Sequence, residues 1–279
     1  MARTRVGILY DYGFDERPGG AQRLADRIVG SVPIDSVDLI PCPPGAVDRE
    51  CETYVALLTK LYSNEELNFL VNLPSQAKLV RYEQDYWRDF EGQAKFRDKL
   101  NAHADLVCFV SPLHQQMYGL YHPHLLYHGP CLAPPLDPNE FVEPRLNAER
   151  VDRAIWFGEW QIYKAPDLAQ KWALETHTHL DLYSPTMPQN LERPNNYVQY
   201  KGFVPQDRFW AEIARHKTFV HFPRQPEPWP YSVLEAYLLG CEIIISGRFG
   251  CESFGGGLDR AVELASTSAD DFWDAALNV

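Results

Sequence analysis

The sequence predicts an α/β protein made of two units, each built around a parallel sheet. Short apolar runs alternate along the chain with segments whose apolar residues recur at helical spacing. This alternation begins again after a proline-rich stretch at residues 130–144. Residues 219–245 then show strand, loop, helix and strand in direct succession, and such a unit makes its two strands parallel.

The composition is typical of a globular protein. The chain has 279 residues, of which 45% are hydrophobic and 23% are charged, which suffices for two domains of ordinary size. Its formal net charge is −12, and neither half is basic. Because phosphate contacts usually leave a basic footprint, this charge disfavours a nucleic-acid partner without excluding one.

The sequence gives no sign of a membrane anchor or a disulfide framework. No apolar run approaches the ~18 residues of a membrane span, and the N-terminal residues lead into a strand without a signal-peptide pattern. We therefore expect a cytoplasmic protein with no transmembrane segment. The six cysteines form no C-x-x-C pair and are expected to be reduced packing residues.

The first half predicts a Rossmann-like unit. An apolar strand is followed by a glycine-containing loop and a helix. Glycines at the start of a helix let backbone N–H groups approach a phosphate or sugar. A plain loop with glycines for turning is the simpler local explanation. The G-x-G-x-x-G pattern is absent, so no dinucleotide cofactor is expected. Strands are predicted at residues 5–10, 37–41, 78–82 and 106–110, and helices at 21–29, 65–72, 90–103 and from 112, while 54–62 fit either type.

The second half predicts another such unit. Strands are expected at residues 153–157, 180–183, 197–200, 219–222 and 243–245, and helices at 166–175, 206–215, 231–239 and 270–277. We predict an N-terminal domain of residues 1–145 and a C-terminal domain of residues 146–279, whose last helix can pack back on the first domain. The two parallel sheets would face a cleft, which is a natural ligand site.

Histidines are concentrated in the connecting region. The pattern His122-x-His124-x-x-x-His128 has some likeness to a metal site, but no carboxylate or cysteine completes a ligand set. We expect a connector with scattered histidines and no metal.

Two glutamates mark the loop and helix after residue 222. Glu227 lies in the loop, and Glu235 lies in a helix that is apolar on nearly every side. A buried carboxylate is costly unless a partner hydrogen-bonds to it. Ligands of parallel sheets bind beyond the carboxyl ends of the strands, where this loop lies. Both glutamates can therefore accept hydrogen bonds from a hydroxyl-rich ligand such as a sugar or ribose, whereas an arginine partner for Glu235 and a solvated Glu227 is an equally good local explanation.

A set of motifs in order resembles one enzyme family. The motifs lie at residues 19–21, 104–111, 136–141, 157–164, 201–204 and 240–244, together with Glu227 and Glu235 in the spacing E-x7-E. Their order across most of the chain resembles retaining glycosyltransferases of the GT-B fold, specifically glycosyltransferase family 4 (glycosyl transferases group 1). The spacing E-x7-E alone is a weak signal, but its place between strand, loop and helix makes it specific.

The resemblance implies particular roles. Glu227 would contact the transferred sugar, Glu235 the ribose, and Lys164 the diphosphate; Glu83 and Asp85 would serve catalysis on the acceptor side, beside Gln84 where the family often has a histidine. Backbone amides of the early glycines and of the helix after Pro230 would lie near the diphosphate. The residues expected at the nucleotide-sugar donor are Gly19, Gly20, Gly158, Lys164, Arg224, Glu227, Trp229, Pro230, Tyr231, Ser232, Val233 and Glu235.

One departure concerns the diphosphate. Glu159 stands five residues before Lys164, where the family usually has an arginine. Arg17, Arg224 or Arg248 are candidates to replace that charge.

Three functions fit the sequence. The first is a retaining hexosyltransferase that uses a UDP- or GDP-sugar as co-substrate, with no metal or other cofactor and an unknown acceptor. The second is a non-catalytic relic that binds a nucleotide sugar. The third is a sugar transferase acting on modified DNA bases, against which the acidic charge counts.

Overall fold

The computed structural model describes residues 3–11, 20–57, 59, 61–84, 93–122, 129–186 and 196–279. The chain forms two compact units, Met1–Leu136 with Ser253–Val279, and Asp137–Glu252. The chain passes from the first unit to the second after Leu136, whereas the sequence led us to expect this boundary after residue 145.

The first unit contains a parallel sheet of five strands in the order β2-β1-β3-β4-β5. Its strands are β1 Thr4–Leu9, β2 Val37–Pro41, β3 Thr53–Ala56, β4 Lys78–Glu83 and β5 Leu106–Phe109. Its helices are α1 Gly20–Gly30, α2 Asn64–Leu70, α3 Gln93–His103, α4 Pro112–Tyr121 and, from the end of the chain, α9 Gly257–Leu277. All four residues of β3 are buried, as expected for the centre of a sheet covered on both faces.

The last helix completes the first unit. The Trp273 indole N–H donates to the carbonyl of Ile28 at 3.1 Å, and the Phe272 ring stacks on Tyr82 with centroids 5.2 Å apart. The helix begins at Gly257, so its predicted start at residue 270 was wrong. Its buried face includes small residues, Ala261, Ala265 and Ser268, which give a weak apolar signal in the sequence.

The second unit contains a parallel sheet of five strands in the order β10-β9-β6-β7-β8. Its strands are β6 Val151–Phe157, β7 Leu180–Tyr183, β8 Val198–Gly202, β9 His216–His221 and β10 Glu242–Ile245. Its helices are α5 Val142–Leu146, α6 Pro166–Thr176, α7 Gln206–Ala214 and α8 Tyr231–Leu238, with short 3₁₀ turns at Pro138–Phe141 and Ile162–Lys164. The predicted α/β class with two parallel sheets is confirmed.

The core of the second unit is aromatic and aliphatic. Trp156 on the central strand β6 is fully buried and packs with Leu180, Leu182 and Val220 from the neighbouring strands. The large ring fixes the spacing between the sheet and α6, whose Ala169 is also fully buried. Among the described residues, we find no helix with both the length and the apolar character needed to cross a membrane.

Candidate functional site

Two loops of the second unit meet at one edge of its sheet. β6 and β9 are neighbouring parallel strands, so the loops that follow them leave from the same edge. The backbone N–H of Arg224, in the loop after β9, donates to the carbonyl of Tyr163, in the loop after β6, at 2.8 Å. This hydrogen bond joins the two loops, and the predicted site residues Lys164 and Glu227 lie on them.

Lys164 and Glu227 form a close ion pair. The Lys164 ammonium donates to Glu227 Oε1 at 2.7 Å. The lysine ends the 3₁₀ turn, and Ala165 then adopts a left-handed conformation with φ of 48° that leads the chain into α6. Glu227 is only 7% exposed, whereas the lysine side chain is 28% exposed. The pair thus joins a buried carboxylate to a partly exposed cation.

His221 is a second neighbour of the same carboxylate oxygen. It ends β9, is buried, and places its Nε2 3.1 Å from Glu227 Oε1. Burial raises the pKa of Glu227, but His221 and Lys164 outweigh that effect and lower it to about 2. Glu227 is therefore ionised at neutral pH. Sequence reasoning missed His221, although an imidazole inside the apolar run before the loop was a visible signal.

In the part of the chain that the structure describes, the side-chain contacts of Glu227 involve one of its two carboxylate oxygens. Within the described residues, Oε2 takes part in no hydrogen bond or ion pair, because both close contacts converge on Oε1. The backbone of Glu227 is fixed, since its N–H donates to the Arg248 carbonyl at 3.0 Å and its carbonyl accepts from Gly250 N–H at 2.9 Å. The structure thus holds a charged acceptor in place with one oxygen available to a ligand.

Glu235 lies in the second turn of α8 and is 1% exposed. The helix begins after Pro230 without a side-chain cap. Predicted donor residues 229–233 form the end of the loop and the first turn of this helix. A helix N-terminus carries partial positive charge and suits an anionic group.

Arg224 braces the loop that carries Lys164. Its guanidinium forms a two-pronged ion pair with the Asp167 carboxylate in the first turn of α6, and Nη1 also donates to the Ile162 carbonyl at 2.9 Å. Hydrogen bonding from Arg224 lowers the pKa of Asp167. Arg224 therefore holds the turn Ile162–Lys164 against α6.

The remaining predicted donor-side residues are divided between the two units. Gly158 follows β6, where a Cβ atom would come within 3.3 Å of the Trp156 ring. Glu159, where the family that the sequence resembles usually has an arginine, is exposed. Gly20 is the first residue of α1 in the first unit. Gly19 and Arg17 lie outside the described residues.

Glu83 sits in a buried polar network of the first unit. It is 3% exposed, and its Oε2 accepts from Asn101 at 2.8 Å and lies 3.4 Å from Arg81 and 3.9 Å from Arg97. Burial raises its pKa, but the two arginines and Asn101 outweigh that effect and lower it to about 2. This network explains how β4 can end in a buried carboxylate. Its predicted partner Asp85 lies outside the described residues.

The histidine pattern of the connecting region is only partly described. His122 contacts Asp98 Oδ1 at 2.9 Å through Nδ1 and stacks on Tyr118 with centroids 4.3 Å apart. Burial lowers the pKa of His122 despite the neighbouring carboxylate. His124 and His128 lie outside the described residues. His122 is thus a buried ring that packs on Tyr118 and contacts the Asp98 carboxylate.

Comparison with known proteins gives structural matches only. No family model matches the sequence, and no curated protein matches it. The structure of AviGT4, a glycosyltransferase involved in avilamycin A biosynthesis, is 14% identical, with 99% of this chain and 92% of that chain covered at a TM-score of 0.64. Alr3699/HepE from Anabaena, in complex with UDP and glucose, is 13% identical, with 98% and 95% covered at a TM-score of 0.65.

A third match is an α-glucosyltransferase in complex with UDP-glucose and DNA containing an abasic site. It is 10% identical, with 99% of this chain and 100% of that chain covered at a TM-score of 0.64. All three matches extend over nearly the whole of this chain. At such low identity, the likeness concerns the fold. The protein therefore has the GT-B fold of glycosyltransferases, with two Rossmann-like units and two parallel five-stranded sheets.

Proposed function

We propose that the protein is a retaining hexosyltransferase that moves a sugar from a UDP- or GDP-sugar to an acceptor. The observation that carries this proposal is the Lys164–Glu227 pair at the carboxyl ends of β6 and β9, in which Glu227 Oε2 has no partner among the described residues. A fixed carboxylate oxygen beside a partly exposed cation fits a ligand that combines hydroxyls with phosphates. Nucleotide sugars have this composition.

In this proposal Glu227 binds the sugar and Lys164 binds the diphosphate. An ionised carboxylate is an acceptor only, so Oε2 would accept hydrogen bonds from sugar hydroxyls. A lysine ammonium is a flexible cationic donor, so Lys164 would turn from Glu227 Oε1 towards a phosphate oxygen of the diphosphate. As the bond to the sugar breaks, negative charge grows on the leaving diphosphate, and a cation placed beforehand stabilises that charge.

Helix α8 would complete the donor site. Glu235 would accept hydrogen bonds from the ribose hydroxyls, and residues 229–233 would surround the nucleotide. The uncapped helix start after Pro230 adds partial positive charge for the diphosphate. Gly158 would leave room for the donor next to Trp156. Arg224 would act indirectly, by holding the turn that carries Lys164.

The acceptor side is proposed from resemblance. The acceptor hydroxyl would attack the anomeric carbon from the same face that the leaving diphosphate departs from, so the anomeric configuration is retained. The leaving phosphate would help to remove the acceptor's proton. Glu83 would fix the end of β4, and Asp85 would take the acceptor-side catalytic role that the resemblance implies. A metal has no part in this route, in keeping with the enzymes that the sequence resembles.

Two other functions have a specific observation behind them. An exposed Glu159 in place of the family's arginine favours a nucleotide-sugar-binding relic without turnover. Structural likeness to an α-glucosyltransferase in complex with UDP and DNA containing a HMU base favours an acceptor in modified DNA. The net charge of −12 counts against DNA. Binding to such DNA that weakens steeply with salt would support the DNA acceptor, and no binding at low salt would remove it.

Thermal denaturation with UDP, GDP and ADP tests the proposal. At least one of these nucleotides should raise the melting temperature, because a ligand that binds only the folded state stabilises it. The variant E235Q should lose most of this increase, whereas E242Q, with its exposed carboxylate at the start of β10, should keep it. No shift with any of the three nucleotides would contradict a nucleotide-sugar site.

A further inference from the structure

His221 is a buried imidazole that lies beside the Glu227 carboxylate. It is 1% exposed, and its ring lies 6.2 Å from Phe219 and 5.8 Å from Phe249, measured between centroids. Among the described residues, its Nδ1 has no hydrogen-bond partner, and its Nε2 lies 3.1 Å from Glu227 Oε1. Burying a polar ring in an apolar strand costs free energy. The contact with Glu227 therefore indicates a role for the ring.

Lys164 and His221 approach the same oxygen of Glu227. The lysine contact, at 2.7 Å, is a hydrogen bond, whereas the histidine contact is close but lies off the direction of an ideal N–H donor. Contacts of this kind often tighten only when a ligand binds. If Lys164 turned towards a phosphate, the buried carboxylate would lose its nearest donor, which is costly unless another donor replaces it. His221 is already in place to do so.

We propose that His221 is a positioning residue for Glu227. It holds Oε1 when Lys164 engages the diphosphate, so that Oε2 stays directed at the sugar hydroxyls. This role rests on the proposed function, because it assumes that Glu227 binds the sugar and Lys164 the diphosphate. His221 itself touches neither group. Its loss should therefore weaken recognition of the sugar and leave recognition of the nucleotide almost unchanged.

The same strand offers a matched control. His216, at the amino end of β9, is also 1% exposed, and its Nε2 lies 3.2 Å from Asp181 Oδ2. Both histidines thus lie in β9, at opposite ends of the strand, and each is a buried imidazole beside a carboxylate. Replacing His216 should lower stability as much as replacing His221 does, without touching the proposed donor site.

The experiment compares dissociation constants for two pairs of probes, UDP with UDP-glucose and GDP with GDP-mannose. For the pair that the wild type binds, H221L should raise the dissociation constant for the nucleotide sugar about tenfold. The dissociation constant for the nucleotide alone should change by less than about twofold. H221Q, whose amide nitrogen can reach the position of Nε2, should restore most of the affinity. The asparagine of H221N is polar but too short to reach Glu227, so H221N should behave like H221L. If H221L does not fold, the comparison of H221N with H221Q tests the role of His221.

The outcomes separate the two proposals. A wild-type protein that binds none of the four probes would contradict the proposed function, and with it the role of His221. Suppose that the wild type binds one pair of probes. The role of His221 alone would be contradicted if H221L and H221N raised the dissociation constants for the nucleotide and the nucleotide sugar equally. It would also be contradicted if their dissociation constants matched those of H216L. Selective loss of sugar binding in H221N that H221Q reverses would support it.

Discussion

The Lys164 ammonium and the Glu227 carboxylate, 63 residues apart in the sequence, lie 2.7 Å apart in the second unit. The order of the sheet brings them together, because β6 and β9 are neighbours although β7 and β8 lie between them in the chain. Two loops that leave one edge of the sheet thus contribute the cation and the anion of a single pair. This pair is the centre of the proposed donor site.

Replacing Lys164 should weaken nucleotide binding. For K164M, we expect the dissociation constant for UDP or GDP to rise at least tenfold, because a charge-assisted contact to phosphate is lost. The melting temperature should also fall, since Glu227 would keep a buried charge without its cation. Isothermal titration calorimetry measures the first effect. K171M is the control, because Lys171 pairs with exposed Glu175 on α6. Equal affinities of K164M and K171M would rule out this role.

Arg224 and Asp167 should act as one element. Because the guanidinium binds both the carboxylate and the Ile162 carbonyl, R224Q and D167N would each loosen the turn that carries Lys164. We expect both variants to lower nucleotide affinity by a similar factor of about three to ten. The double variant should be little worse than either single one. If R224Q alone lost affinity while D167N bound normally, Arg224 would contact the donor directly instead.

Glu83 should make the first unit sensitive to acid. Its pKa of about 2 in the folded protein lies below the ordinary value of 4.5, so below about pH 4.5 the unfolded chain binds more protons. Its contribution to stability is present above that pH and is lost as the pH falls towards 2. Between pH 5 and pH 3, urea unfolding should show the wild type losing roughly 1–2 kcal/mol more than E83Q. E50Q, which changes an exposed carboxylate, should keep the slope of the wild type.

Gly240 should resist replacement, because its φ is +80° and a Cβ atom would lie 2.7 Å from Arg150 Nη2. That arginine donates to the carbonyls of Leu239 and Gly240 after α8. We expect G240A to lower the unfolding free energy by about 1–3 kcal/mol in chemical denaturation. Gly30, at the end of α1, has open space around its Cβ position, so G30A should be neutral or slightly stabilising. A neutral G240A would show that the turn relaxes freely.

Local patterns predicted the elements and the donor loop, but they could not show which loops meet. Apolar runs and helical spacing found most helices and the strands other than β3, which lies in a stretch that fitted either type. The loop after β9 was expected at the carboxyl edge of the sheet. The pairing of Lys164 with Glu227 depends on strand order, which no local pattern contains. His221 was missed because an imidazole in an apolar run has the appearance of a packing residue until its neighbour is known.

The division of the chain was also only partly predictable. Prolines marked the first crossing near Leu136. The return of the chain to the first unit after Glu252 depends on α9, whose start at Gly257 follows glycines that resemble a loop and whose buried face is rich in alanine. Its anchors, such as Trp273 on Ile28, join residues far apart in sequence.

Release of the sugar from a nucleotide sugar tests the central claim most directly. Without an acceptor, a glycosyltransferase should slowly transfer the sugar of UDP-glucose or GDP-mannose to water, and the released hexose can be measured over hours. We predict release by the wild type that falls at least tenfold in E227Q, with K171M unchanged. Binding of a nucleotide sugar without any release would support the relic instead, and release that is equal in the wild type and E227Q would contradict a donor site built on Lys164 and Glu227.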